Sequence, residues 1–200
     1  MAKVKLTKNE LKKQKDSLKM YQRYLPTLIL KKQQLQMEIR NTELHILELK
    51  EEKEKFDEEF KTWIAVFGEK GIFTPDILKV LEIMTEEGNI AGVAIPIFKG
   101  AEFEVTPYDL VSTPLWIDMA VEKLKKVMLL DLESQVLEEQ RKRLDRELRI
   151  TTQRVNLFEK IKIPETRGNI KKIQVYLGDQ QTAAVVRGKI AKRGLAKAAQ

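Results

Sequence analysis

An apolar heptad repeat runs through the first third of the chain, from Leu6 to Phe67. With position a placed at Leu11, ten of the fourteen a and d positions are apolar, and the positions between them are mostly Lys, Glu and Gln. A seam this narrow, with a period of 3.5 residues, is typical of a helix that packs against one other helix. Such a helix would be about 90 Å long at 1.5 Å per residue. The repeat therefore predicts a second long helix elsewhere in the chain.

The second helical pattern lies near the other end, at residues 115–186, and Pro164 and Gly168 predict a kink or short break within it. The segment between the two patterns is too short to return the chain to the start of the first helix, so we expect the helices to be antiparallel. The predicted seam residues of this coiled coil are Leu11, Leu18, Leu25, Leu28, Leu35, Ile39, Ile46, Leu144, Leu148, Val155 and Phe158.

Residues 68–114 form a candidate insert between the two helices. Thr74-Pro75-Asp76 is a typical helix start, and the apolar residues after it predict a short helix over 75–87. Residues 90–105 are rich in β-branched side chains and predict a β-hairpin that turns at Lys99-Gly100. An isolated hairpin is only marginally stable in water, so we expect it to pack against the helices.

The composition agrees with an elongated helical protein. Charged residues make up 34% of the chain and aromatic residues 6%, which leaves few bulky side chains for a thick globular core. The predicted fold class is therefore mainly α: a long antiparallel two-helix coiled coil with a small helix-plus-hairpin insert in the middle. The predicted divisions are an N-terminal helix (1–67), the insert (68–114), a C-terminal helix (115–186) and a basic tail (187–200).

The chain has no cysteine, which excludes disulfides and thiolate metal sites and favours a reducing compartment. No apolar run is long enough to span a bilayer, and lysines interrupt the N-terminus where a signal peptide would be apolar. We therefore expect a soluble, cytoplasmic protein.

The net charge of +7 is concentrated at the two ends of the chain. Residues 1–19 carry +5 and residues 183–200 carry +5, so the segment between them is mildly acidic. Antiparallel helices would place both basic ends at one tip, which needs an acidic partner surface or a polyanion. One hypothesis is therefore a coiled-coil scaffold or adaptor that binds a protein or nucleic acid through its ends. Direct nucleic-acid binding is disfavoured because the tip lacks interleaved aromatic residues.

An enzymatic function has little support in the sequence. The single histidine, His45, lies beside the seam and is expected to be a surface residue. With one histidine and no cysteine, most metal sites and most nucleophile–base pairs are unavailable. The nine glycines are scattered and form no phosphate-binding loop. We therefore predict a non-catalytic protein without a metal or cofactor.

Three stretches of the sequence form a recognisable set. They are Leu28–Leu35, Gly92–Pro96, and the run from Arg154 through Glu159 to the Ile163-Pro164 step. In this order they resemble the D subunit of the V-type (archaeal and bacterial V/A-type) ATP synthases. The last stretch departs slightly from the family pattern, because Leu157-Phe158 stands where Ala-Leu is commoner.

The resemblance implies a central-stalk rotor subunit whose antiparallel helices enter a hexamer of A and B subunits. It also implies contacts with the small F subunit and with the C subunit that caps the membrane ring, and hence a peripheral place at the membrane. On this interpretation the candidate hexamer contacts are Lys5, Lys8, Lys12, Arg187, Lys189, Lys192 and Arg193. The candidate contacts lower in the stalk are Val93, Ile95, Phe98 and Phe103.

Overall fold

The computed structural model describes residues 4–67, 77–107 and 116–198. They form helix α1 (Lys8–Phe67), strands β1 (Leu78–Ile90) and β2 (Val93–Val105), helix α2 (Ile117–Asn156), a π-helical segment (Leu157–Lys162) and helix α3 (Ile163–Ala198). The chain divides into a terminal unit of residues 1–31 and 151–200 and a middle unit of residues 32–150. The predicted fold class, an antiparallel helical pair with a small hairpin inserted in the sequence between the two helices, is confirmed.

Helix α1 begins at a capped N-terminus and continues through a proline. The Glu10 backbone N–H donates to Thr7 Oγ1 at 3.3 Å, which satisfies one of the amides that a helix start leaves without a partner. Pro26 lies inside α1, and the helix continues through it. Position a or d of the heptad is buried or half-buried at every turn from Leu11 to Phe56, whereas most of the intervening side chains are exposed.

In the terminal unit, the first part of α1 packs antiparallel to the C-terminal helical segment. The rings of Tyr21 and Phe158 are tilted by 53° with their centroids 5.0 Å apart, a favourable aromatic geometry. Leu6 lies beside Gly168 and Val175 on α3. Residues closer to the start of the chain therefore lie opposite residues closer to its end, which is the antiparallel arrangement.

The π-helical segment adds one residue to the heptad of the second helix. The seam positions advance by four and three residues from Thr151 to Phe158, by five residues to Ile163, and then by three, four, three and four residues to Leu177. Removing one residue from the segment would restore the regular alternation of three and four. The six-residue π-helical segment has a wider turn, which accommodates the extra residue. The segment lies just before Pro164, whose ring would clash with the carbonyl four residues earlier in a regular helix. The helix is thus continuous at the predicted break at Pro164 and Gly168, and only the heptad pattern of its buried side chains shifts by one residue.

In the middle unit, the hairpin packs along the helical pair at two places. Near its turn, Ile95 is buried with Leu35 and Ile39 of α1 and Leu144 of α2. At its base, Leu78 packs with Ile117 and Val121 of α2, and Phe103 and Val105 lean on the same cluster. A third cluster joins the two helices without the hairpin, through Ile46, Leu49 and Leu137.

Two hydrogen bonds reinforce the packing of the hairpin on α2. Gln140 Nε2 donates to the Pro96 carbonyl, and an Arg143 guanidinium N–H donates to the Ala94 carbonyl at 3.4 Å. Both acceptors are in β2, so side chains of α2 satisfy two carbonyls of the hairpin. The expectation that the hairpin leans on the helices is therefore confirmed.

The predicted short helix over 75–87 is wrong where the structure describes it, because residues 78–90 form strand β1. Its apolar residues do follow a helical spacing, but β1 pairs with β2 along its whole length and buries Leu78 against α2. Pairing and burial outweigh local propensity in this segment. The predicted helix start at Thr74-Pro75-Asp76 lies outside the described residues.

The hairpin turn lies at Ala91-Gly92, eight residues before the predicted position. Ala91 has a φ of 52° and Gly92 a φ of 78°, which are the positive values that a two-residue type I′ turn needs at both central positions. The Asn89 side-chain oxygen accepts the Gly92 N–H at 2.9 Å. Gly100, expected in the turn, instead lies opposite Met84, next to a register shift between the strands.

Candidate functional site

The predicted seam residues all lie on the helices, and none is exposed. In the middle unit Leu35 contacts Leu144, and in the terminal unit Phe158 contacts Tyr21 of α1. Leu35, Ile39, Ile46, Leu144 and Val155 are buried, and Leu11, Leu18, Leu25, Leu28, Leu148 and Phe158 are half-buried.

Several other buried seam residues were not in the predicted list, although the heptad places Thr42 and Leu49 at its d positions. Three of them are polar, and a list of apolar residues leaves them out. The Thr42 and Thr166 hydroxyls donate to the carbonyls of Glu38 and Lys162, four residues earlier on their own helices. They include Leu49, Leu137, Ile163, Ile173, Thr42, Thr151 and Thr166.

Charged side chains that flank the seam of the middle unit pair across the two helices. Lys53 Nζ lies 2.6 Å from Asp131 Oδ1, and this hydrogen bond raises the pKa of the lysine. Arg141 lies 3.7 Å from Glu43, and His45 Nε2 lies 3.9 Å from Glu133. These side chains are partly exposed, so each pair contributes little energy by itself. Together they favour one register between α1 and α2.

The candidate hexamer contacts are exposed, but they are not at one level of the terminal unit. Lys8 and Lys12 lie on the first turns of α1, and Leu6 just before them lies beside Lys171. The residues from Arg187 to Arg193 lie four turns or more further along α3. Nearly every side chain from Gly178 to Leu195 is exposed, including Val185 and Ile190. The described part of the predicted basic tail is thus helical.

Three of the four candidate contacts in the hairpin face the interior of the middle unit. Ile95 is only 3% exposed in the cluster with Leu35, so it is not accessible to a partner. Val93 packs against that same cluster, and Phe103 packs against the cluster at the hairpin base. Phe98 is half-buried. Ile95, Val93 and Phe103 therefore contribute to the protein's own core.

Exposed apolar side chains occur elsewhere in the middle unit, at positions that the sequence reasoning did not select. On α1 they are Met37, Leu44 and Leu47, on the side of the helix away from the seam. On β1 they are Leu81, Ile83 and Met84. The heptad could have revealed Met37 and Leu44, since both occupy position f, where a two-helix coiled coil is usually polar.

The described residues contain no group of three or more His, Cys, Asp or Glu side chains that could hold a metal ion. His45 is about half exposed, and its Nε2 lies 3.9 Å from Glu133. Within the described ranges, no helix has the length and apolar character needed to cross a membrane. The geometry is that of surfaces on a helical pair, which suits binding to other proteins.

An antiparallel helical pair that carries a hairpin and has exposed basic and apolar surfaces defines a class of structural, partner-binding proteins. Comparison with known proteins makes this more specific. The family model that describes the D subunit of ATP synthase matches residues 10–193. The chain belongs to this family.

Curated relatives match over nearly the whole chain. A protein from Borreliella burgdorferi, named as the D subunit of a V-type ATP synthase, is 55% identical over 197 residues, which is 98% of this chain and 97% of that protein. Proteins of the same name from Chlamydia pneumoniae and Chlamydia abortus are 36% and 34% identical, each covering 95% of this chain and 92% of the relative. The resemblance stated from the sequence motifs is therefore confirmed.

Proposed function

We propose that this chain is the central rotor shaft of a V-type ATP synthase. It transmits torque between a catalytic hexamer of A and B subunits and the ion-translocating ring in the membrane, and it catalyses no reaction itself. The observation that carries this proposal is the near full-length similarity to proteins named as the D subunit of V-type ATP synthases, together with the antiparallel helical pair.

The packing of the middle unit suits a part that must resist twisting. Apolar clusters, cross-helix ion pairs and the hairpin on α2 all oppose sliding of one helix along the other. A load on one helix is then shared with the other, because close-packed side chains transmit strain. The exposed basic end of α3 would lie in the hexamer, where the angle of the shaft biases each catalytic site between its conformations.

The partners that follow are the A and B subunits at the basic end and the small F subunit and C subunit lower in the stalk. The complex would then hold the chain on the cytoplasmic face of the membrane as a peripheral subunit. A scaffold that binds other proteins or nucleic acid through its basic ends is the competing hypothesis.

A cysteine cross-link tests the shaft directly, because the chain has no cysteine of its own. Lys192→Cys, combined with one introduced cysteine in the A or B subunit, is oxidised in the purified complex. We expect ATP hydrolysis to stop on oxidation and to recover when the disulfide is reduced. The matched control has Lys192→Cys without the second cysteine. If hydrolysis continues at full rate with the cross-link formed, the chain does not rotate within the hexamer.

A further inference from the structure

Leu81 and Met84 of β1 are exposed apolar side chains, and together they define an apolar patch on the hairpin. Leu81 is 61% exposed and Met84 is 43% exposed. The first register shift of the hairpin falls at Leu81, between Val80 and Glu82, so this residue has no cross-strand partner. β-Bulges are over-represented near functional sites, where they redirect a side chain. By contrast, Leu78 and Ile95 of the same hairpin are buried against the helices.

Two glutamates lie within this patch and directly oppose each other. Glu82 and Glu102 are cross-strand partners, and both are exposed. Like charges directly opposite on a sheet are destabilising. Two other acids of the hairpin lie near bases. Glu86 is 2.8 Å from Lys99, which lowers the pKa of that carboxyl, and Glu104 is the cross-strand partner of Lys79. Among the described residues, no basic side chain forms an ion pair with Glu82 or Glu102.

The charge of the hairpin is also opposite to that of the chain. Residues 78–105 contain five glutamates and two lysines, whereas the whole chain has a net charge of +7. An acidic surface repels the phosphates of nucleic acids and of anionic lipids. An acidic surface attracts a surface that carries lysine or arginine. The exposed apolar side chains beside the acids are best covered by apolar groups on that same partner surface.

We propose that Leu81, Met84, Glu82 and Glu102 bind a basic, apolar-centred surface of another protein in the complex. The apolar side chains of that protein cover Leu81 and Met84, and its lysine or arginine side chains lie between Glu82 and Glu102. This inference rests on the proposed function, because it takes the chain to be one subunit of a larger complex. It differs from the sequence prediction for this hairpin, whose contacts Val93, Ile95 and Phe103 pack inward.

The repulsion between the two glutamates allows a test in which stability and binding change in opposite directions. In the double variant Glu82→Gln and Glu102→Gln, the isolated chain should melt at a higher temperature, because the repulsion is removed. The same variant should dissociate several-fold faster from the assembled complex, measured as loss of the tagged chain on dilution and washing. A merely structural role would raise the stability without weakening the assembly.

The matched control is Glu51→Gln with Glu54→Gln, which removes two exposed charges from α1 outside the patch. It should leave the dissociation rate unchanged. A Leu81→Ser variant should also weaken the complex while the isolated chain keeps its melting temperature, since this side chain is mostly exposed. If both patch variants are retained like the wild type, the proposal is overturned.

Photo-cross-linking identifies the occupant. The residue benzoylphenylalanine replaces Leu81 in the tagged full chain, the complex is irradiated in cells, and the cross-linked peptide is sequenced by mass spectrometry. We expect a peptide of another subunit in which apolar residues are flanked by lysine or arginine. Cross-links to a second copy of this chain, to lipid or to an acidic peptide contradict the proposal, as does the absence of a cross-link.

The same probe at Lys192 separates this inference from the proposed function. If Lys192 cross-links to the hexamer but Leu81 does not give the expected product, the proposed shaft function still holds and only the proposed binding patch is overturned. If no ATPase subunits purify with the chain at all, the proposed function fails.

Discussion

A small number of residues in the middle unit hold three elements together. Leu35 has no exposed surface and contacts Ile95 of β2 and Leu144 of α2, so one side chain of α1 joins both helices and the hairpin. The polar seam residues Thr42 and Thr166 satisfy their hydroxyls on their own helices. These threonines therefore add no cross-helix hydrogen bond, and the apolar contacts and the flanking ion pairs determine the register of the helical pair.

Truncation of Leu35 tests this core. We expect Leu35→Ala to lower the free energy of unfolding by about 3 kcal/mol, because it opens a cavity at a site enclosed on three sides. Leu44→Ala makes the same chemical change on the same helix, at a side chain that is 58% exposed, and should cost less than about 1 kcal/mol. Urea denaturation of both variants measures the difference. Equal losses would show that Leu35 is not the centre of the cluster.

The ion pair between Lys53 and Asp131 predicts a dependence of stability on alkaline pH. The hydrogen bond from Lys53 to Asp131 raises the pKa of the lysine above its ordinary value of 10.5. A raised lysine pKa stabilises the fold fully below the ordinary value, and this contribution is lost as the pH rises through the folded-state pKa. The pair is partly exposed, so the effect should be below about 1 kcal/mol.

The variant Asp131→Asn isolates this effect from the titration of the other lysines. At pH 8 the wild type should be the more stable of the two in thermal unfolding. The difference should shrink at pH values above 10.5 and vanish once Lys53 is neutral. A difference that stays constant across this range would mean that the charge of Lys53 makes no contribution.

The hairpin and the π-helical segment show how elements adapt to their surroundings. The apolar residues of strand β1 have a helical spacing, yet β1 pairs with β2 and covers α2. The tight Ala91-Gly92 turn needs positive φ at both residues, and the π-helical segment absorbs one extra residue before Pro164. In both elements, local backbone cost is offset by the burial of apolar side chains nearby.

Substituting glycine by alanine should have opposite effects in the turn and in the helix. Gly92→Ala forces an L-residue to a φ of 78° and should destabilise the protein by about 1 kcal/mol. Gly178→Ala lies in α3 with no atom within 4 Å of the added methyl group, and should stabilise the protein by about 0.5–1 kcal/mol. Thermal unfolding of the two variants tests the sign, and a gain in stability from Gly92→Ala would contradict the assigned turn.

Deleting one residue from the π-helical segment should be tolerated. Removal of Ile161, whose side chain is 54% exposed, leaves a regular alternation of three and four between the seam positions from Thr151 to Leu177. We expect unchanged helicity by circular dichroism and a melting temperature within a few degrees of the wild type. The control deletes Ile173, which is buried in regular helix, and should lower the melting temperature strongly. Similar losses in both variants would mean that the segment does not absorb an extra residue.

At the scale of the whole protein, we expect folding and assembly to depend on different residues. The apolar clusters lie among the seam residues and the inward side of the hairpin. The exposed basic residues Arg187, Lys189, Lys192 and Arg193 belong to a part of α3 whose side chains are exposed. Changes at this end should therefore affect the assembled complex and leave the fold of the chain intact.

Truncation after Val186 tests this separation. Without residues 187–200, we expect the melting temperature of the isolated chain to change by no more than a few degrees, because no cluster residue is removed. The reconstituted complex should lose much of its coupling between ATP hydrolysis and rotation. A second variant, with glutamine at the four basic positions 187, 189, 192 and 193, keeps the helix length and tests the charge alone. Full coupling in both variants would show that the basic end is dispensable.

The helical part of this protein could be predicted from sequence because its determinants are local and periodic. The heptad from Leu11 to Phe56 identifies the buried side of α1, and the Thr7 cap marks its start. The same periodicity required a second helix, and the motifs around Gly92 and Arg154 were sufficient to indicate the family.

Other features depended on contacts between residues distant in sequence, and only the tertiary structure decided them. Residues 78–90 form a strand because β2 supplies backbone partners and α2 covers one side, neither of which is visible in their own helical pattern. The position of the hairpin turn determines that Ile95 is buried and that Leu81 is exposed. Periodicity along one segment shows which of its residues share a side, but the surface that covers this side is contributed by other parts of the chain.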